Sequence, residues 1–149
     1  DAETVIKMIR SLAKYHCEGA AFRATIEDVE RDGFGEFPLY ESWLAEVDRV
    51  PLGLAAFFPP LFYLQFKGKP SLLLKNLFVQ ESARGLKIGE KLVTKISCRA
   101  LELNCCRIEL LVEKNNPARA FYEKFGFPET ADRVYSITSE VLKGTGKIE

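Results

Sequence analysis

The chain has 149 residues, 47% of them hydrophobic and 11% aromatic, which supplies apolar surface for one sizeable core and is too short for two ordinary domains. Its 21 basic and 21 acidic residues cancel to a net charge of zero, so no overall field draws in a polyanion and a nucleic-acid partner is not expected. No apolar stretch reaches membrane-spanning length and no basic-then-apolar leader is present, so membrane insertion and secretion are set aside in favour of the cytoplasm.

Val5, Ile6, Ile9, Leu12 and Ala13 recur at three- and four-residue intervals, predicting an amphipathic helix over residues 3 to 15. A second short helix is expected from Thr25, with Asp28 placed to satisfy first-turn amides, as far as Gly33. "DGFGEFPLY" reads as a loop, because two glycines and a proline punctuate it. Strand-like segments follow at 41–47, 51–58 and 72–79, the first two joined by Asp48-Arg49, and such short links predict an antiparallel meander. From Ile88 the period changes: Ile88, Leu92, Ile96 and Ala100 define a long helix ending near Asn104. "RIELLV" (107–112) alternates outward Arg107 and Glu109 with inward Ile108, Leu110 and Val112, the pattern of a strand. A last helix opens at Asn116 as N-cap with Pro117 in its first position and stops at Gly126, before a closing strand at 133–138 and a polar tail. This order predicts an α/β (α+β) layer fold with a mixed sheet in one domain spanning 1–149.

Four cysteines, Cys17, Cys98, Cys105 and Cys106, lack the paired spacing of a zinc knuckle or a disulfide framework, so reduced structural thiols and no metal are expected. The strongest chemical signal is "LFVQESARGLKIGEKL". An apolar strand ends at Val79, a glycine-containing turn spans Arg84 to Gly89, and a helix begins there with a row of unpaired amides, which is an anion site. It is not a Walker A loop, whose glycine spacing differs, nor a dinucleotide fingerprint, since only Gly85 and Gly89 are present. By itself the pattern is equally a tight strand-to-helix turn.

"ARGLKIGEKL" followed by "NNPARAFYEKFGF" resembles the two signature blocks of the GCN5-related N-acetyltransferase (GNAT) superfamily. "LAKY", "DGFGEFPLY", "LAEV" and "LFV" further resemble its spermidine/spermine and thialysine acetyltransferase branch, so the likeness runs from about residue 9 to 127. Members have a strand ahead of the first helix, which this sequence lacks. The resemblance implies acetyl-CoA as co-substrate. Its pantetheine arm would lie along the strand at Leu77, Phe78 and Val79, and its diphosphate on the amides of Arg84, Gly85, Leu86, Lys87, Ile88, Gly89 and Glu90, with Asn115 and Ala118 also at the cofactor. It further implies a homodimer and makes Tyr122 the general acid. A phenol with an ordinary pKa of about 10 holds a proton that it can give to a departing thiolate at neutral pH. Read from the residues alone, Tyr122 is as readily one member of an apolar stripe with Phe121 and Phe125.

The sequence departs from the family pattern twice. Lys87 replaces the central glycine of the loop, giving up conformational freedom while adding a cation beside a diphosphate. Lys75 and Asn76 stand where the polyamine branch carries glutamate and aspartate. Two like charges about 5 Å apart repel by roughly 3 kcal/mol at an effective dielectric near 20, so spermidine and spermine are disfavoured as substrates. Two readings follow. One is an acetyl-CoA-dependent N-acetyltransferase acting on a small amine or a lysine-like side chain; the other is a catalytically degenerate GNAT-fold binding or regulatory module. Glu36, Glu46, Glu109 and Glu113 are the remaining acids available to take a proton from the amine, most of them expected to be solvated strand or loop residues, and His16 is expected to be a surface or cap residue. Trp43 and the aromatic run "FFPPLFYLQF" are divided between core packing and a substrate groove or dimer contact.

Overall fold

The computed structural model describes residues 1–62 and 68–131; the expected closing strand, the polar tail and residues 63–66 of the aromatic run lie outside the described residues. The chain divides into two compact units, Asp1–Glu113 and Lys114–Glu149.

In the first unit, helix α1 (Ala2–Tyr15) is capped by Asp1, whose carboxylate accepts from the Thr4 amide, and buries Val5, Ile6, Met8 and Leu12 on one face as its periodicity requires. Helix α2 (Ile26–Phe34) begins with the expected reciprocal cap: Thr25 Oγ1 accepts the Asp28 amide at 3.2 Å while Asp28 Oδ2 accepts the Thr25 amide at 2.9 Å. It does not stop at Gly33 but runs on to Phe34. Gly33 is there for room, since a Cβ on it would lie 2.8 Å from the Tyr40 ring.

Strands β1 (Glu41–Val47), β2 (Val50–Phe62), β3 (Pro70–Val79) and β4 (Arg107–Leu110) form one sheet in that order. The first three are an antiparallel meander, and β4 lies parallel to β3. Asp48 and Arg49 both take positive φ (51° and 65°) between paired Val47 and Val50, the two-residue hairpin whose twist suits flanking strands. β2 outruns its expected end at Phe58 by tolerating two prolines. The register shifts by one residue between Phe58 and Leu61, and such a bulge is where a residue without an N–H is accommodated in a sheet. Helix α3 (Ile88–Glu102) lies between β3 and β4 in the chain, the helical crossover that joins parallel strands.

The sheet packs on both faces. Ala55, Phe57, Leu72 and Leu74 meet Ile88, Leu92, Ile96 and Ala100 of α3, whereas Leu54 and Phe78 meet Val5, Ile6, Met8 and Leu12 of α1 and Val29 of α2. A second register shift sits within β3. Ala56 pairs with Asn76 but Phe57 with Leu74, leaving Lys75 as the extra residue. The bulge reverses the strand's alternation: Leu72 and Leu74 face α3 before it, and Leu77 and Val79 after it.

β4 pairs with β3 only from Ser71/Arg107 to Leu74/Leu110. The expected strand to residue 112 is therefore shorter, because its partner's ladder is broken by the bulge. Glu109 is not the solvated residue expected. It is half-buried, accepts from Ser71 Oγ at 3.0 Å, and pairs with Arg107 at 2.9 Å.

In the second unit, helix α4 (Ala118–Lys124) is held at both ends by local chemistry. Asn116 Oδ1 accepts the Ala118 amide at 2.9 Å, the N-cap role expected of it, with Pro117 already helical at φ −61°. Gly126 takes φ +96°, and the Phe127 amide returns to the Tyr122 carbonyl at 2.9 Å. This is a left-handed stop with its usual apolar contact, since the Tyr122 and Phe127 rings lie 6.0 Å apart.

Candidate active site

The first unit assembles a turn, a strand edge and a cavity around the bulge and the start of α3. After β3 a single helical turn (Glu81–Ala83) buries Ala83 and delivers an exposed loop from Arg84 to Lys87. The Arg84 guanidinium stacks over the Tyr15 ring at 4.6 Å and its Nε lies 3.4 Å from the Val79 carbonyl, which ties the loop to the end of α1. Gly85 takes φ +83° and Lys87 φ +58°, ψ +21°. Lys87 thus adopts the left-handed conformation that a glycine enters freely, at a cost of about 1 to 2 kcal/mol for a residue with a Cβ.

Among the described residues, the amides of Gly85, Lys87, Ile88, Gly89 and Glu90 donate to no carbonyl and no side chain, and Lys87 provides no side-chain cap. Four successive helix-start amides together with the positive end of a helix dipole form a ready anion site. Ile88 beneath them is buried against the sheet, so the first turn of α3 is anchored while its amides stay open.

The strand edge adjoins this loop. Leu77, Phe78 and Val79 pair on one side with Ala55, Leu54 and Gly53. On their other side no strand follows β4 beyond Leu110 among the described residues. Their side chains are engaged in the two cores, so what they offer a ligand is backbone. An extended amide-bearing molecule laid along such an edge finds unpaired N–H and C=O groups.

A cavity of about 200 Å³ opens on the α2 side of the same strand, lined by Asp28, Asp32, Tyr40, Phe58, Lys75 and Asn76 among others. The bulge accounts for two of these. Where two residues oppose one, consecutive side chains are re-aimed, and Lys75 and Asn76 both reach the cavity. Sequence reading missed the contribution of α2 and Tyr40. The signal available was the odd step from Leu74 to Leu77 in the apolar spacing of β3.

In the second unit Asn115 is exposed on the turn before α4, and the Ala118 amide is already given to Asn116. Tyr122 is half-buried with its ring edge-on to Phe121 at 5.3 Å. Burial pushes the phenol above its ordinary pKa, so Tyr122 keeps its proton throughout the neutral range. Packing and proton storage are therefore not rival roles: an ordinary phenol already holds its proton at neutral pH, and burial moves its loss still higher.

The remaining candidates fall into place. Glu36, Glu46 and Glu113 are exposed, and His16 is the exposed C-cap of α1. Trp43 packs edge-on against buried Phe57 at 5.1 Å, with Lys95 over its ring, a core contact. The four cysteines are free. No group of three or more metal-ligating side chains occurs among the described residues, nor is any helix there long and apolar enough to cross a membrane.

Residues 9–127 match the family described as Acetyltransferase (GNAT) family. The chain belongs to that family of acetyltransferases. Among relatives of this GNAT enzyme, thialysine N-epsilon-acetyltransferase from Bos taurus is 28% identical over 135 residues, covering 85% of this chain and 78% of that protein. Spermidine/spermine N(1)-acetyltransferase-like protein 1 from Homo sapiens is 29% identical, and the match covers 85% of this chain but 19% of that longer protein. An integron cassette protein from the mobile metagenome of V. cholerae is similar in structure, with TM-score 0.81 and 25% identity, covering 97% of this chain and 90% of that one. These findings bear out the resemblance drawn from the two sequence blocks, including its branch, and the mixed α/β fold.

Proposed function

We propose that this GNAT chain, as one domain built from both compact units, is an acetyl-CoA-dependent N-acetyltransferase acting on a small amine or a lysine-like side chain. The observation that carries the proposal is the row of amides from Lys87 to Glu90 at the head of α3 that donate to nothing among the described residues, following a strand whose edge beyond Leu74 has no partner strand among those residues. The fit to the cofactor is chemical: a diphosphate takes amide donors at a helix N-terminus, and a pantetheine arm, with its two amide groups, takes a bare strand edge.

In this reading Leu77, Phe78 and Val79 hold the arm through backbone, and Arg84, Gly85, Leu86, Lys87, Ile88, Gly89 and Glu90 make the diphosphate cradle. Asn115 and Ala118 complete the cofactor site, Asn115 by its side chain. When bound, acetyl-CoA supplies an acetyl group activated as a thioester. Tyr122 holds a proton at Oη and delivers it to the departing thiolate, a form of general acid catalysis typically worth about 10²- to 10⁴-fold. A homodimer working in the cytoplasm completes the proposal, on the strength of the family resemblance.

The alternative, a degenerate binding module, is favoured by Lys87 and by Lys75-Asn76. The left-handed backbone at Lys87 weighs against it, because that is a conformation a glycine at the same position enters freely. The test is thermal unfolding with and without acetyl-CoA, followed by transfer assays on primary amines. Ligand at about 100 times its dissociation constant stabilises by about 2.7 kcal/mol; no stabilisation at millimolar acetyl-CoA would remove the enzyme reading.

A further inference from the structure

The loop that presents the open amides is tied down by one side chain. Ala83 is buried in the core just before it, but from Arg84 to Lys87 the chain is exposed and twice enters the left-handed region, at Gly85 and Lys87. Arg84 supplies the only side-chain hydrogen bond that these residues make among the described residues, from Nε to the Val79 carbonyl at 3.4 Å, and that bond is long. What backs it is the ring of Tyr15, the last residue of α1, whose centroid lies 4.6 Å from the guanidinium carbon. That separation is a cation–π contact. The Tyr15 ring in turn stands edge-on to His16 at 5.4 Å. Because α1 packs on the face of the sheet opposite α3, the contact reaches across the end of β3 and holds the loop from the far side.

Arg31, Arg99 and Arg119 are each fixed by a carboxylate, at 2.6, 2.8 and 2.8 Å, which cancels much of their charge. Arg84 forms no ion pair among the described residues; from Glu81 it meets only the backbone carbonyl, which accepts the Arg84 amide. An aromatic face fixes a cation in place through its quadrupole and leaves the net charge intact. We propose that Tyr15 is a positioning residue for the acyl donor: its ring fixes the Arg84 guanidinium at the head of the amide-bearing loop without neutralising it. This inference rests on the proposed binding of acetyl-CoA at that loop and adds to it a residue from another layer of the fold.

The test is calorimetric titration of acetyl-CoA at low ionic strength into the whole chain and three variants. Tyr15→Phe keeps the ring and should bind within about twofold of wild type. Tyr15→Leu removes the aromatic face and should weaken binding about two- to fivefold, the range of an exposed cation–π contact. Tyr15→Glu can hold the guanidinium by an ion pair but neutralises it, so it should weaken binding at least as much as Tyr15→Leu, and raising the salt should cost wild type more affinity than Tyr15→Glu. Steady-state assays should place the losses in KM for acetyl-CoA, with kcat retained. Tyr15 is 48% exposed, so all three variants should fold, and matched thermal unfolding would verify it. Without ligand, the ring should shield the Arg84 Nε proton in wild type and Tyr15→Phe, and its NMR resonance should move downfield in Tyr15→Leu. An unmoved resonance, Tyr15→Leu or Tyr15→Glu binding like wild type, or Tyr15→Phe weakened as much as Tyr15→Leu would each overturn the proposal while leaving acetyl-CoA binding in place. Acetyl-CoA left unbound by wild type at millimolar concentration would instead fail the binding reading, and the proposal with it.

Discussion

The loop from Arg84 to Gly89 and the bulge at Lys75-Asn76 both depart from the GNAT pattern through a lysine, and the two departures differ in kind. At Lys87 the residue takes a left-handed conformation that a glycine enters freely, with φ +58° and an exposed side chain, and what the loop would offer a ligand is main-chain amides. At Lys75 and Asn76 what the strand would offer a ligand is side chains, so a lysine in place of an acid changes the sign of the charge at that position. A site built from main-chain groups tolerates sequence change that a site built from side chains does not.

That contrast gives graded predictions. Tyr122→Phe should lower kcat by about 100-fold or more while leaving acetyl-CoA affinity near wild type; steady-state kinetics beside calorimetry separates these, and an unchanged kcat would remove the phenol from the chemistry. Ile88→Ala removes the buried anchor under the first turn of α3 and should destabilise the fold by about 2 to 4 kcal/mol in denaturant unfolding. It should also weaken acetyl-CoA, and unchanged affinity would mean that the first turn of α3 does not hold the ligand. Lys87→Gly relieves a left-handed Cβ and should stabilise by about 1 kcal/mol, with acetyl-CoA binding retained. A loss of stability would show that the lysine side chain, not the backbone, organises the loop.

The smallest effect is on pH. The Tyr122 phenol is raised by burial, so the folded state favours its protonated form. The stability this contributes is whole below the unfolded pKa of about 10 and is lost as pH rises through the higher folded value. Wild type should therefore lose more stability than Tyr122→Phe between about pH 9 and pH 11 in parallel unfolding experiments. Equal losses would mean that the phenol is not desolvated.

What the residues alone disclosed was whatever local chemistry decides. The Thr25–Asp28 cap, the Asp48-Arg49 hairpin and the stop at Gly126 each need only neighbours in sequence, and each is found where expected. The helix faces follow from period, and Ile88, Leu92, Ile96 and Ala100 are buried together. The misses all depend on a distant partner. Gly33 looked like a stop because nothing nearby in sequence reveals Tyr40 against it, and β2 was cut at Phe58 because proline reads as a breaker until a bulge receives it. β4 was drawn two residues too long because the bulge that ends its pairing lies on another strand. The candidate site divides likewise. The helix-start amides were legible as a strand, a glycine turn and a helix. The cavity was not, because Asp28, Asp32 and Tyr40 come to it from a different layer.

The central claim is that main-chain amides at the head of α3 hold a diphosphate. Following backbone amide resonances during an acetyl-CoA titration tests it most directly. The account predicts saturable shifts that are largest from Leu86 to Glu90 and persist in Lys87→Gly. Shifts absent from those amides at saturating ligand, or lost when the lysine is replaced, would contradict it.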